Sequence, residues 1–265
     1  MPSETILITG ASSGIGLELA RCFASENAGN QSARLILVAR NTAALETLAV
    51  ELRRERRLDV LVLTADLSRP ETPQRIFDEL AAQKINVDVL VNNAGFGANG
   101  AFAELPLARQ LEMIQVNITA LTELTRLFLP DMIARRRGGI LNVSSVAGFM
   151  PGPGMAVYYA TKAFVLSLTE ALAEELRGTG VTISVLCPGA TETNFGSVAR
   201  GRKVRPMKTP KMTAKAVARQ GHRAFRGGKL TVVTGLPNRL FVFLNRLLPR
   251  NLPRKLVARY NRLND

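Results

Sequence analysis

Runs in which nearly every residue is apolar recur along the chain at 5–9, 34–39, 59–63, 88–92, 139–143, 182–186 and 230–233. Each is short and rich in Val, Ile or Leu, which predicts strands covered on both faces, as in a parallel sheet. The stretches between them, near 14–26, 42–56, 71–83, 106–136, 157–177 and 213–225, are longer and read as helices. Regular alternation of strand and helix predicts a doubly wound α/β sheet of seven parallel strands. Seven strands with their crossovers fill the chain to about residue 235, so one domain is expected, with no internal repeat and no low-complexity linker.

Two segments fall outside this pattern. Between 196 and 212, Arg200, Arg202, Lys203, Arg205, Lys208 and Lys211 crowd together, and Pro206 and Pro210 interrupt any helix. That stretch reads as a mobile basic loop able to cover a substrate. After the last strand come two helix-like segments, 238–248 and 252–263, punctuated by Pro237, Pro249 and Pro253. Residues 236–265 are therefore expected to form a helical extension on the domain of residues 1–235.

A length of 265 residues supports one substantial core, and 46% hydrophobic with 21% charged residues is ordinary for a globular protein. Cys22 and Cys187 sit in apolar segments and read as buried thiols, not as a disulfide framework. The first residues, Met-Pro-Ser-Glu-Thr, run straight into the first strand with no basic and apolar leader, so the chain reads as cytoplasmic. The apolar run at 240–244 is far shorter than the ~20 residues a membrane-spanning helix needs.

Charge changes the picture more than composition does. The net charge is +14, but residues 1–199 hold 17 Lys/Arg against 20 Asp/Glu, whereas residues 200–265 hold 18 Lys/Arg and one acid, Asp265. A slightly acidic body thus carries a strongly basic last quarter, which suits an anionic partner.

The first strand runs into Thr9-Gly10-Ala11-Ser12-Ser13-Gly14-Ile15-Gly16, and a helix follows. Glycine at 10, 14 and 16 lets the backbone turn tightly and approach a pyrophosphate, which the free N–H groups of the helix N-terminus would hold. This is a dinucleotide-binding arrangement. A carboxylate at the end of the second strand would select NAD by binding both ribose hydroxyls; the sequence instead has Val38-Ala39-Arg40-Asn41. Arg40 can pair with a 2′-phosphate, which favours NADP(H). Asp66-Leu67 and Asn92-Asn93-Ala94-Gly95 follow the third and fourth strands, where ligands gather in open α/β sheets. Asp66 can alternatively cap the helix that begins near Pro70.

Tyr158 and Lys162 stand four apart on one predicted helix and so share a face. A neighbouring ammonium favours the phenolate and draws a tyrosine from its free value of ~10 toward the working range. Such a phenol can donate a proton to a carbonyl oxygen, or take one from an alcohol, as hydride moves. Ser145, after the fifth strand, can hydrogen-bond the substrate oxygen, whereas Ser144 reads as a turn or cap residue. Tyr159 has Ala163 at the equivalent spacing and lacks such a partner. His222, the single histidine, sits in no motif and reads as a surface or packing residue; no Cys/His cluster indicates a metal.

Taken together, these residues resemble the compact branch of the short-chain dehydrogenase/reductase family, which has a Rossmann-type fold. The matches run in order from Thr9 to Thr193: Gly10, Gly14 and Gly16; Asn92 to Gly95; Asn117 in Val116-Asn117; Ser145, thirteen residues before Tyr158; Tyr158 with Lys162; and Pro188-Gly189-Ala190-Thr191-Glu192-Thr193. The resemblance implies a catalytic set of Asn117, Ser145, Tyr158 and Lys162. Tyr158 would transfer the proton. Lys162 would lower its pKa and bind the nicotinamide ribose, Ser145 would orient the carbonyl, and Asn117 would kink its helix and hold a relay water. The cofactor would be bound by Gly10, Ser12, Ser13, Gly14, Ile15, Gly16, Arg40, Asp66, Leu67, Asn93, Ala94, Gly95, Tyr158, Lys162, Pro188, Gly189, Thr191 and Thr193. The implied activity is NADP(H)-dependent interconversion of a ketone or aldehyde, hydrophobic or acyl-type, with an alcohol. A homodimer or homotetramer built on the helices at 106–136 and 157–177 is implied as well.

The alternative is a non-catalytic nucleotide sensor or scaffold on the same fold, against which the intact catalytic set argues. A sugar-nucleotide epimerase would need a larger C-terminal domain. Nucleic-acid binding lacks any aromatic stacking motif among the basic residues, so no specific nucleic acid is expected. In the extension, Arg239 and Arg246 form a narrow polar stripe on one segment, and Leu256, Val257, Tyr260 and Leu263 alternate with Arg254, Lys255, Arg259 and Arg262 on the next. These helices suit closing the substrate pocket, an oligomer interface, an anionic membrane surface, or an acidic carrier or acyl-CoA.

Overall fold

The computed structural model describes residues 4–29, 33–56, 58–193, 211–249 and 251–261, and of residues 260 and 261 the backbone alone. The basic loop expected at 196–212 therefore lies outside the described residues except for Lys211 and Met212, as do Arg262 and Leu263.

The strands are β1 (Thr5–Thr9), β2 (Arg34–Ala39), β3 (Asp59–Thr64), β4 (Val89–Asn92), β5 (Gly138–Val143), β6 (Val181–Cys187), β7 (Thr191–Glu192), β8 (Met212–Thr213) and β9 (Thr231–Val233). Seven of them form one parallel sheet in the order β3-β2-β1-β4-β5-β6-β9, and β7 pairs with β8 separately. Each of the seven apolar runs became a strand of this sheet. The helices are α1 (Gly14–Glu26), α2 (Thr42–Arg56), α3 (Thr72–Ala82), α4 (Leu107–Ile114), α5 (Ala120–Ala134), α6 (Ala156–Glu175), α7 (Ala214–Arg226), α8 (Leu236–Leu247) and α9 (Asn251–Asn261). The segment read as one helix over 106–136 is divided: α4 and α5 are joined by a π turn at Gln115–Thr119.

Both faces of the sheet are buried, which is why its strands read as continuous apolar runs. Side chains alternate across a strand, so Ile6 and Ile8 enter one core while Leu7 enters the other. The first core is completed by Leu19 and Phe23 of α1, Leu45 and Leu48 of α2, and Val217 and Phe225 of α7. The second takes Ile76 and Leu80 of α3 with Leu124, Phe128 and Met132 of α5.

The order in which strands are added across the sheet reverses between β1 and β4, which are parallel neighbours. A crevice opens beyond the strand C-termini at such a point. Thr9, Asn92, Val143 and Cys187 end β1, β4, β5 and β6, and each is followed at once by one of the sequence motifs. The sheet thereby delivers four motifs to one edge.

The opposite edge is held by Asp88, which is 6% exposed. Its Oδ1 takes Arg135 at 2.5 Å, and its Oδ2 takes Arg137 at 2.9 Å and the Thr5 amide at 3.0 Å. Its own backbone joins β1 through Thr5 and β5 through Gly139. Burial alone would push this carboxyl up, but the hydrogen bonds from Arg137, Arg135 and Thr5 hold it below the usual carboxylate range.

Removing the carboxylate leaves buried donors without partners, so Asp88→Ala should cost about 3 kcal/mol in urea unfolding. Because the folded-state value is depressed, this stabilisation is complete above the unfolded value of ~3.9 and is lost as pH falls through the folded one. The variant should accordingly show a shallower loss of stability toward acid pH; parallel acid limbs would contradict the assignment.

Candidate active site

The turn after β1 is shaped by two left-handed glycines, Gly10 at φ 67° and Gly14 at φ 57°. A Cβ on Gly16 would lie 2.3 Å from both the Gly10 carbonyl oxygen and the Asn93 side-chain nitrogen. Only glycine lets α1 come that close to the turn. Ser13 stands at the N-cap of α1 but its side chain makes no cap hydrogen bond, so the helix N-terminus keeps donors for an anion. Thr193 reaches this turn from the other side, since a Cβ on Gly14 would meet its methyl carbon at 3.1 Å.

Asn93 holds the turn itself. Its side-chain nitrogen donates to the carbonyls of Thr9 at 2.9 Å and Gly10 at 3.2 Å, while the Thr9 hydroxyl accepts from the amides of Asn93 and Ala94, each at 3.0 Å. The Asn93 amide group thus joins β4 to the glycine turn, a positioning task that the sequence reading did not assign. Thr9 shares it.

Asn117 lies in the π turn and is 1% exposed. It reaches across to the loop after β4, accepting from the Phe96 amide at 3.1 Å and donating to the Phe96 carbonyl at 2.9 Å and to Thr161 Oγ1 at 3.0 Å. This bracing ties α6 to the loop that carries Gly95. A Cβ on Gly95 would meet Asn117 Oδ1 at 2.9 Å and Lys162 Nζ at 3.3 Å.

Tyr158 and Lys162 share one face of α6, as their spacing requires, with Lys162 Nζ 5.9 Å from the Tyr158 ring centroid. Both are buried, at 9% and 5% exposure. Lys162 Nζ donates to the Val143 carbonyl at 2.9 Å, and the Lys162 carbonyl accepts from Ser144 Oγ at 2.7 Å. Two bonds thus fix one turn of α6 to the end of β5. Ser145 accepts from the Ala147 amide at 3.1 Å, donates to the Pro188 carbonyl at 3.3 Å, and hydrogen-bonds the Tyr158 phenol. The capping role expected for Ser144 therefore belongs to Ser145, which caps the short 3-10 turn Val146–Phe149. Ser144 is instead a buried fastener of α6.

The electrostatics differ from the expectation drawn from spacing. Burial pushes the Tyr158 phenol up to about 12, against a downward pull from Ser145. Burial also pulls the Lys162 amine down to about 8. Desolvation penalises any charged form, and here it outweighs the attraction a charged amine would exert on a phenolate. At neutral pH the phenol is therefore un-ionised, while the amine, although displaced downward, still mostly carries its proton. Cys187, fully buried at the end of β6, is likewise pushed up to about 12 by burial. Cys22 is only half-buried, a correction to its reading as a buried thiol.

The remaining expected residues divide between rim and support. Arg40 follows β2 with its side chain 64% exposed, and its guanidinium is 3.9 Å from Glu112. Asp66 accepts from the Ser68 amide at 3.0 Å and does not cap α3, which begins at Thr72. Burial pushes the Asp66 carboxyl up, but Ser68 and then Arg40 bring it below its usual range. The Leu67 side chain is in the core, and Ile15 packs against the core as well. Thr191 Oγ1 donates to the Gly189 carbonyl at 2.9 Å. Asn238 of α8 covers Gly189, where a Cβ would fall 2.3 Å from its side-chain nitrogen. Nothing in the sequence linked these two residues.

Tyr159 packs its ring on Gly152, where a Cβ would lie 2.2 Å away. His222 sits on α7, paired with Glu26 at 2.9 Å and edge-on to Phe23 at 4.7 Å, a packing role. Among the described residues there is no group of three potential metal ligands.

Residues 4–203 match the profile of the short chain dehydrogenase family. A ketoacyl reductase, HetN, from Nostoc sp. is 34% identical over 237 residues, covering 83% of this chain and 75% of that protein. A short-chain dehydrogenase from Sphingobium yanoikuyae, solved in complex with NADPH, superposes with a TM-score of 0.81 at 34% identity over 92% of this chain and 93% of that one. A short chain dehydrogenase/reductase from Burkholderia phymatum in complex with NAD superposes with a TM-score of 0.81 at 27% identity, over 96% and 97% of the two chains.

The contact at Gly16 is with backbone on one side and a committed amide on the other, so the turn cannot yield cheaply. Gly16→Ala should cost about 1–3 kcal/mol in thermal or urea unfolding and weaken dinucleotide binding measured by fluorescence titration. Wild-type stability together with wild-type binding would contradict this close approach.

Proposed function

The chain belongs to the short-chain dehydrogenase family, and on that premise we propose that it is an NADP(H)-dependent oxidoreductase interconverting a hydrophobic ketone or aldehyde with the corresponding alcohol. The observation that carries this reading is the joint burial of Tyr158, Ser145 and Lys162 at the strand C-termini, on the edge that also holds the glycine turn. Pyrophosphate fits the turn of Gly10, Gly14 and Gly16, whose glycines add no side chain of their own and where the α1 donors are free of a side-chain cap. Ser12, Ser13, Ala94, Gly95 and the 188–193 segment complete the groove in this reading.

A bound nicotinamide would supply the hydride in its reduced form and take it up in its oxidised form. The chain's own residues manage the oxygen. Tyr158 gives its phenolic proton to the carbonyl oxygen as negative charge develops there. Ser145, hydrogen-bonded to the phenol, orients that oxygen and steadies the charge. Lys162, whose ammonium is made more acidic by burial, returns a proton toward the phenolate left behind and becomes the neutral amine. Asn117 and Ser144 act through these groups, the first by bracing α6 against the Phe96 loop, the second by fixing the Lys162 turn. A neutral phenol is the form a general acid needs, so the resting state suits carbonyl reduction at neutral pH; the reverse reaction gains as pH rises.

Support for NADP(H) comes from Arg40, exposed at the end of β2 with no carboxylate in the position that would bind both ribose hydroxyls. The similar structures include one with NADPH and one with NAD, which makes this residue the discriminator. The sensor reading leaves the buried phenol and amine without a task.

Tyr158→Phe should reduce turnover of an activated ketone by about a thousandfold while leaving NADPH binding intact. Equal turnover, or no turnover by the wild type across a ketone panel despite tight NADPH binding, would favour the sensor. Separately, Arg40→Asp should lower the NADPH over NADH ratio of kcat/KM on the order of a hundredfold; an unchanged ratio would remove Arg40 from cofactor choice.

A further inference from the structure

Helix α8 is mounted with its polar side inward. At 100° per residue, Asn238, Val242 and Asn245 share one face, and that face meets the protein. Asn245 donates to the Phe149 carbonyl at 2.8 Å, Asn238 donates to the Thr234 carbonyl at 2.7 Å and covers Gly189, and Val242 is 8% exposed. The opposite face holds Leu236, Leu240, Phe241, Phe243, Leu244 and Leu247, all exposed, Leu236 at 77% and Leu247 at 68%. They span an arc of about 160°. A helix that closed a pocket with its apolar side would show the reverse pattern. Arg239 and Arg246 stand along one flank of this arc, both exposed.

Helix α9 buries an apolar pair but also turns leucines to solvent. Val257 and Pro253 are buried, Leu252 and Leu256 are exposed at 49% and 55%, and Lys255 and Arg259 lie beside them. From residue 200 to 264 the chain contains no acid at all. An exposed apolar patch of this size needs a partner, and its basic border selects which one. A second copy docked by two-fold symmetry would set these arginines against their own counterparts without a carboxylate between them. A bilayer carrying anionic headgroups satisfies both features at once: leucine and phenylalanine enter the acyl boundary while arginine and lysine remain at the phosphates.

We propose that α8 and α9 form an in-plane docking surface for an anionic membrane. Among the described residues no helix is long and apolar enough to cross one, so the contact is peripheral. Because α8 is pinned to Gly189 and to the turn that Ser145 caps, docking brings the mouth of the catalytic cleft to the lipid. On the oxidoreductase reading, the substrate is then a carbonyl compound dissolved in the bilayer.

Flotation of the full-length protein with vesicles tests docking without any turnover. Binding is expected to vesicles of phosphatidylcholine mixed with phosphatidylglycerol, to weaken as salt rises, and to be slight with phosphatidylcholine alone. Leu240→Glu with Leu247→Glu should abolish it, and Arg239→Gln with Arg246→Gln should reduce it about 25-fold, at roughly fivefold per charge. Arg239 Nε also donates to the Val233 carbonyl at 2.9 Å, so melting is measured for every variant, and unchanged melting would establish that each is folded. NADPH turnover of a small water-soluble ketone should also be unchanged, which separates loss of docking from loss of catalysis. Failure of the wild type to float with anionic vesicles would overturn the proposal, as would equal binding by the leucine variant. A self-association abolished by Leu240→Glu, without vesicle binding, would assign the face to a second copy instead.

Discussion

The site depends on the attachment of α6 to the end of β5. Lys162 gives its ammonium to the Val143 carbonyl and takes the Ser144 hydroxyl on its own carbonyl. A Cβ on Gly148 would lie 2.7 Å from that same carbonyl, so the following turn packs directly on it. With this turn of helix fixed, Tyr158 one turn earlier has little freedom and its phenol falls beside Ser145. Asn117 then secures the helix from the other side through Thr161, whose hydroxyl also donates to the Tyr158 carbonyl at 2.7 Å. The positions of the proposed catalytic groups are set by main-chain carbonyls held by buried donors.

Burial that fixes these groups also sets their protonation. For a phenol and an amine taken out of water, desolvation disfavours the charged form of each. At neutral pH the phenol, at about 12, and the amine, at about 8, both still hold their protons. The same low-dielectric setting makes the supporting polar groups mutually dependent. Asn92 donates to Thr125 and Asn142, each at 3.0 Å, and Asn142 donates to Thr169 at 2.9 Å, so a buried polar row crosses β4 and β5 between α5 and α6.

The fold was almost fully legible in the chain because a parallel sheet buries both faces, and its strands therefore announce themselves as apolar runs. Residues 5–9 and 34–39 needed no revision, and the others moved by a residue or two at their ends. The Tyr158–Lys162 pairing was legible because helical spacing alone places both on one face. The division of labour between Ser144 and Ser145 was not, since two adjacent serines after a strand differ only in which side of the chain they leave. The direction of the Tyr158 shift was also hidden, because spacing reports proximity but not desolvation. The π turn escaped for a related reason: apolar periodicity continues through 115–119 while one extra residue is absorbed. In α8 the leucines and phenylalanines were visible, but their outward direction follows from Asn238 and Asn245 finding Gly189 and Phe149, contacts made far along the chain.

The claim on which the chemistry rests is that Tyr158 is held as a neutral acid by its surroundings. Carbon-13 labelling of the tyrosine ring, with Tyr158→Phe used to assign the Tyr158 signal, follows its ionisation directly by nuclear magnetic resonance. The account predicts that this phenol remains unionised at pH values where free tyrosine, at ~10, has begun to titrate, in keeping with its displacement up to about 12. A Tyr158 resonance that titrated below the free value would contradict it and return the phenolate to the resting enzyme.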